Sequence, residues 1–171
     1  MFFKIKKMVN NLQDLVGMIN ENRFEPFSSN IDIIDSYNGK DWKYYIDEIP
    51  SSRFNNVGES TYIRKKLDFN IFNWFELFII VWNKDSKSKI HDHSEKGCIL
   101  KVLQGELKET IYKDSKSDDL NENIVNTTII KKSDTSFMHN DLGFHSIENI
   151  SDDISISLHV YSPCNHKTKY I

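Results

Sequence analysis

The sequence contains no alanine, and only six glycines, three prolines and two cysteines among its 171 residues. Without the strongest helix former, and with 22 isoleucines, the chain leans towards strands and away from a helical bundle. The two cysteines, Cys98 and Cys164, are too few for a disulfide framework. A strong charge of either sign is also absent: 22 basic against 25 acidic residues leave −3, which argues against a polyanion partner such as nucleic acid. No long hydrophobic run exists. The longest, Leu77–Trp82, falls far short of a membrane span, and the start Met1-Phe2-Phe3-Lys4-Ile5-Lys6-Lys7 lacks the apolar stretch of a signal peptide. These absences predict a cytoplasmic monomer with no membrane or nucleic-acid partner. The 39% hydrophobic content excludes disorder.

The length fits a single domain, residues 1–171. Leu12, Leu15, Val16 and Ile19 fall at i, i+3, i+4 and i+7, predicting a helix from about Val9 to Asn22. Trp42, Tyr45, Ile46 and Ile49 repeat the spacing, with Asp41 as N-cap and Pro50 ending the run. Residues 1–50 therefore read as mainly helical. From about Thr61 the pattern turns to strands: Tyr62–Leu67, Phe72–Trp82, Cys98–Leu103, Leu107–Tyr112, Asn123–Lys131, Ser136–His139, Phe144–Ile150 and Ile154–Ser162. Gln104-Gly105 reads as a tight turn, and Asn83–Lys89 and Lys113–Glu122 as exposed loops. The fold predicted is mainly β, a sandwich or barrel over residues 60–163 with the helices packed outside.

All six histidines follow residue 90. In Ile90-His91-Asp92-His93 an extended backbone puts both imidazoles on one face and Asp92 on the other. Such a pair chelates one first-row metal if a further ligand comes from elsewhere. In Ile154–Tyr161 the aliphatic residues alternate onto one side, and Ser157, His159 and Tyr161 line the other. If that polar side faces the interior, serine, imidazole and phenol form one hydrogen-bonded row. Tyr62 and Arg64 share a strand face, and only three of the 22 basic residues are arginines. An inward guanidinium clamps a carboxylate with two parallel hydrogen bonds, which an ammonium does not match.

Four residues separate His93 from Cys98 and six more precede Gly105; later, Gly143-Phe144-His145 is followed by Asn149. This resembles the paired metal motifs of the cupin superfamily, with Cys98 where a ligating carboxylate is usual. Together with the runs Cys98–Thr110, Leu142–Asn149 and Ser157–Pro163, the stretch from Tyr62 to Pro163 resembles the cysteine dioxygenase family of thiol dioxygenases. The resemblance implies a cupin-type β-barrel (double-stranded β-helix, or jelly roll) in which His91, His93 and His145 hold mononuclear non-haem Fe(II). It implies that Arg64 binds the substrate carboxylate beside Tyr62, and that Ser157 and His159 orient Tyr161. It further implies a thioether between Cys98 and Tyr161, apolar backing from Trp82 and Ile80, and a cis bond at Ser162-Pro163. The implied reaction is oxidation of L-cysteine by O₂ to cysteine sulfinic acid. The alternatives are another small carboxylate-bearing thiol such as 3-mercaptopropionate, or a non-catalytic metal- or ligand-binding cupin.

The tail Cys164–Ile171 shows no strand alternation, and the chain reads as short for this family at its C-terminus, which puts barrel closure at issue. His139 and His166 read as surface or hydrogen-bonded histidines, and Cys164 as a free thiol. Phe72, Trp74, Phe75 and Phe78 read as core aromatics, and Lys4, Lys6 and Lys7 as a solvated end.

Overall fold

The computed structural model describes residues 8–55, 61–69, 74–113 and 123–171. Phe72, the N-terminal lysines and most of the Lys113–Glu122 stretch lie outside the described residues.

Helix α1 (Leu12–Glu21) buries the predicted stripe Leu12, Leu15, Val16 and Ile19, and Asn11 caps it by accepting from the Asp14 N–H. It starts later than predicted because Val9 exchanges backbone hydrogen bonds with Ser36 and Asn38 instead. Helix α2 (Ile31–Asp35) was not predicted; five residues are too few to show a helical period. Helix α3 (Trp42–Asp47) forms where the spacing placed it, but Asp41 does not cap it. The Asp41 carboxylate turns to α1, accepting from the Leu12 N–H (2.7 Å) and the Tyr37 hydroxyl (2.7 Å). It thus satisfies an orphan donor of a helix 29 residues away in sequence.

Eight strands follow: β1 (Tyr62–Leu67), β2 (Glu76–Trp82), β3 (Gly97–Gln104), β4 (Glu106–Tyr112), β5 (Ile124–Lys131), β6 (Thr135–Met138), β7 (Phe144–Asn149) and β8 (Ser155–Ser162). They form an antiparallel five-stranded sheet, β1-β2-β8-β3-β6, and an antiparallel three-stranded sheet, β5-β4-β7. Between β3 and β4, Gly105 has φ +75°, and a Cβ there would collide with Ser155 Oγ, so only glycine makes this turn without strain.

The central strands of the larger sheet, β2, β8 and β3, are buried on both faces, while β1 leaves Arg64 and Lys66 exposed. The sheet's outer face (Leu77, Ile79, Ile156, Leu158, Val160) packs under the helices with Leu12, Leu15, Ile19, Ile34 and Trp42. Its inner face meets the smaller sheet through Ile80, Trp82, Leu100 and Val102 against Leu107, Ile130 and Ile147. Since the helices seal the outer face, the polar row of β8 faces inward.

Among the described residues the two sheets face one another without a continuous hydrogen-bonded ring. The stretch after β2 crosses between them: Ser86, Ser88 and His91 exchange backbone hydrogen bonds with Asn149, Ile147 and His145 of β7. The C-terminal tail then pairs outside that stretch, through Asp92 N–H to Lys169 O (3.0 Å) and Ile171 N–H to Ile90 O (3.1 Å). The tail without alternation is therefore an added edge, held mainly by backbone hydrogen bonds that leave no hydrophobic period to read.

Candidate metal centre and substrate pocket

His91 and His93 do not sit in a named strand. They lie in the extended crossing stretch, and His91 forms a single antiparallel bridge with His145 of β7. The two rings share a side, not through a ladder but because one bridge and the extended backbone aim them together. The ligand nitrogens of His91, His93 and His145 all lie within 4.8 Å of one another. His93 Nε2 and His145 Nε2 are 2.9 Å apart. Two nitrogens each about 2.1 Å from one ion and at a right angle to each other stand about 3 Å apart, so this separation fits a shared cation.

The other ring atoms fix the tautomers. His91 Nδ1 donates to Lys89 O (2.7 Å), and His145 Nδ1 donates to Glu109 Oε1 (2.6 Å), leaving both Nε2 lone pairs free. Burial lowers the pKa of all three imidazoles, that of His93 well below the ordinary range, so they are neutral. Three neutral donors, two with orienting partners, suit a divalent ion such as iron. Burial also raises the Glu109 carboxyl, which Ser136 Oγ meets at 2.6 Å. A cation on His145 Nε2 would favour the ionised carboxylate opposite.

The register of the larger sheet assembles the second half of the site. Tyr62 and Arg64 of β1 oppose Trp82 and Ile80; Ile80 and Phe78 of β2 oppose Ser157 and His159; Cys98 of β3 opposes Tyr161. On this inward row Trp82 Nε1 donates to Ser157 Oγ (2.8 Å), which lies 2.8 Å from His159 Nε2. His159 Nδ1 lies 3.2 Å from the Tyr161 hydroxyl and 3.8 Å from Cys98 Sγ. Tryptophan only donates, so Ser157 Oγ accepts from Trp82, and the row continues through His159 to the Tyr161 hydroxyl. Burial pushes the Tyr161 phenol and the Cys98 thiol well up and the His159 imidazole well down, leaving all three neutral.

Arg64 lies with its guanidinium 4.6 Å above the Phe78 ring and 5.5 Å from the Tyr161 ring. Tyr62 packs on Trp82, ring centres 4.8 Å apart. A pocket beside His91 is lined by Tyr62, Arg64, Glu76, His91, Asp92 and Tyr161 and, from the tail, by His166, Thr168 and Tyr170. It therefore joins an imidazole of the histidine cluster, a guanidinium and three phenols to the carboxylates of Glu76 and Asp92, both of which already have hydrogen-bond partners.

Residues 30–170 match the cysteine dioxygenase type I family. The chain belongs to that family. Cysteine dioxygenase type 1 of Danio rerio is 30% identical over 161 residues, covering 89% of this chain and 74% of that protein. The bovine protein of the same name is 38% identical over 92 residues, covering 52% of this chain and 45% of the relative, so that match spans under half of the relative's length. Among solved structures, a double-stranded β-helix protein from Klebsiella pneumoniae aligns with TM-score 0.50 at 17% identity, over 72% of this chain and 90% of that one. Lactobacillus farciminis oxalate decarboxylase aligns with TM-score 0.50 at 17% identity, over 63% of this chain and 30% of that one. At such identity the likeness is one of fold, and it supports the jelly-roll expectation.

The match of this cysteine dioxygenase family member begins before β1 and takes in α2, α3 and the tail, beyond the Tyr62–Pro163 stretch that carried the resemblance. Ser162-Pro163 is cis, as implied. Phe75 is core and Trp74 half-buried, but Phe78 is not simply core: it supports Arg64 from the inner face. Asn149 is a brace rather than a ligand, its amide donating to Trp82 O and Asn83 O. His139 bonds Glu95 O, and His166 bonds the Asp92 carboxylate, as the sequence reading allowed. Cys164 forms no disulfide and is partly exposed.

The sequence reading missed Glu109 and Tyr170. Glu109 carried a signal: in Leu107-Lys108-Glu109-Thr110-Ile111 it occupies the apolar face of β4, where a carboxylate needs a partner. Tyr170 carried none, because its place depends on tail pairing.

Proposed function

We propose that this chain is a thiol dioxygenase that oxidises L-cysteine to cysteine sulfinic acid, using ferrous iron held by His91, His93 and His145. The observation that carries the reading is the convergence of three neutral imidazoles, with no carboxylate ligand among them, beside a guanidinium whose contacts are aromatic rings. An all-histidine set leaves the ion's charge uncompensated, which favours an anionic thiolate as substrate. When bound, ferrous iron supplies a Lewis acid that lowers the thiol pKa and the electron transfer that lets O₂ react with sulfur. In the overall reaction the S–H and O–O bonds break, two S–O bonds form and one proton is released.

The chain's own residues bind, orient and shield. Arg64 holds the substrate carboxylate through two parallel hydrogen bonds, and Tyr62 closes that end of the pocket. Trp82, Ser157 and His159 form a hydrogen-bonded row that ends on the Tyr161 hydroxyl and holds the phenol beside the reacting centre. Ile80 and Trp82 exclude water behind it. Cys98, the register partner of Tyr161, is poised for a thioether. That bond forms as one S–H and one ring C–H are lost and two electrons pass to O₂. The reading includes a monomer acting in the cytoplasm on small molecules.

The test replaces His93 or His145 with alanine and compares iron content and sulfinate production with the unmodified protein. Loss of both in each variant is the outcome predicted. Iron content unchanged in the variants would show the metal centre to be elsewhere. Iron bound by the unmodified protein without turnover of any small thiol would favour a non-catalytic cupin.

A further inference from the structure

We propose that Tyr170, in the C-terminal tail, determines substrate specificity by joining Arg64 and Tyr62 in a carboxylate clamp that limits the length of the thiol acid admitted. The proposal rests on the reading of this pocket as the substrate site and adds a residue and a size limit to it.

Three observations converge on Tyr170. First, it is the antiparallel bridge partner of His91. Directly opposed residues of such a pair present their side chains to the same face, so Tyr170 stands on the side to which His91 turns its imidazole. Their ring centres are 6.3 Å apart. Second, Tyr170 lines the same pocket as Arg64 and lies close enough to Tyr62 for the two phenols to interact electrostatically. Third, Tyr170 is 54% exposed, so no core holds it there. Its position comes from the backbone: Lys169 N–H donates to the Asp92 carboxylate (2.7 Å), Lys169 O accepts from the Asp92 N–H (3.0 Å), and Ile171 N–H donates to Ile90 O (3.1 Å). His166 Nε2 adds a hydrogen bond to the same carboxylate (2.9 Å). The residue between the two ligands thus fastens the tail that carries Tyr170.

The chemistry follows from the donors. A guanidinium presents two parallel N–H groups to a carboxylate, whose remaining lone pairs accept from hydroxyls at its rim. Tyr62 and Tyr170 both line the pocket and supply such hydroxyls. An aromatic wall at a fixed distance from the metal site also sets how many carbons fit between sulfur and carboxylate. On this proposal cysteine is admitted and homocysteine, one methylene longer, is resisted.

The experiment measures equilibrium binding of L-cysteine and L-homocysteine to the Fe(II)-loaded protein under anaerobic conditions, by calorimetry, for the unmodified chain, Tyr170→Phe and Tyr170→Ala. Thermal melting and iron content check that the fold and the metal centre are intact. Tyr170→Phe should weaken cysteine binding about tenfold through the lost hydroxyl. Tyr170→Ala should weaken it at least as much and cut the preference for cysteine over homocysteine about tenfold. Cysteine affinity and preference within twofold of the unmodified protein in both variants would overturn the assignment of Tyr170 while leaving the dioxygenase reading intact. No cysteine binding by the unmodified protein would overturn both.

Discussion

His145 Nδ1 donates to Glu109 Oε1 across 2.6 Å, with each side chain only 5–6% exposed. The pair joins β7 to the neighbouring strand β4 inside the sandwich, so the smaller sheet orients a ligand contributed to a centre it shares with the crossing stretch. Ser136 on β6 fixes the same carboxylate from the other sheet. The ligand ring is therefore oriented from both sheets.

Glu109→Gln keeps the shape but weakens the acceptor and its negative charge. Metal affinity should fall about 10- to 100-fold, the usual penalty for losing a partner behind a ligating histidine. Competition with a chelator of known affinity measures it, and unchanged affinity would show that the ring is held by packing alone.

Arg64→Lys retains the charge and loses the planar fork. KM for L-cysteine should rise at least about tenfold, whereas KM for cysteamine, which has no carboxylate, should change little. Equal effects on the two thiols would mean that Arg64 acts on the metal centre rather than on the carboxylate.

His159 is buried and neutral, its pKa held well below the ordinary value by burial first and by the nearby Arg64 charge second. The unfolded chain binds its proton near pH 6.5, and the folded chain does so only at much lower pH. Stability from this group is complete above about pH 6.5 and falls as the pH drops below it, by up to about 1.4 kcal/mol per pH unit. Chemical denaturation of His159→Gln at several pH values should give a shallower acid-side slope than the unmodified chain. Parallel slopes would show that His159 is protonated in the folded state.

Gly105→Ala forces a side chain onto a backbone at φ +75° and against Ser155 Oγ. The loss should exceed about 1 kcal/mol and appear as a lower thermal midpoint. A midpoint equal to that of the unmodified chain would mean that the turn after β3 rearranges freely.

Much of the fold was legible because hydrophobic period and burial coincide. The bounds of β1 agree with the two-residue period, and β8 was readable because its aliphatic face packs under the helices while its polar face turns inward. The three histidines were legible through motif spacing. Residues whose roles depend on distant partners were not. Asp41 looked like a cap for the helix beside it and serves α1. Phe78 looked like core until register placed it beneath Arg64. The tail is ordered by backbone hydrogen bonds to Ile90 and Asp92 and by the Asp92 carboxylate, partners about 80 residues away in sequence that leave no hydrophobic period to read.

The central claim is that a three-histidine iron centre inserts both atoms of O₂ into cysteine sulfur. The most direct measurement is the mass of the product formed from L-cysteine by Fe(II)-loaded protein under ¹⁸O₂. Cysteine sulfinic acid carrying two ¹⁸O atoms is the result predicted. Sulfinate with one label or none, or cystine as the only product at full iron loading, would contradict it.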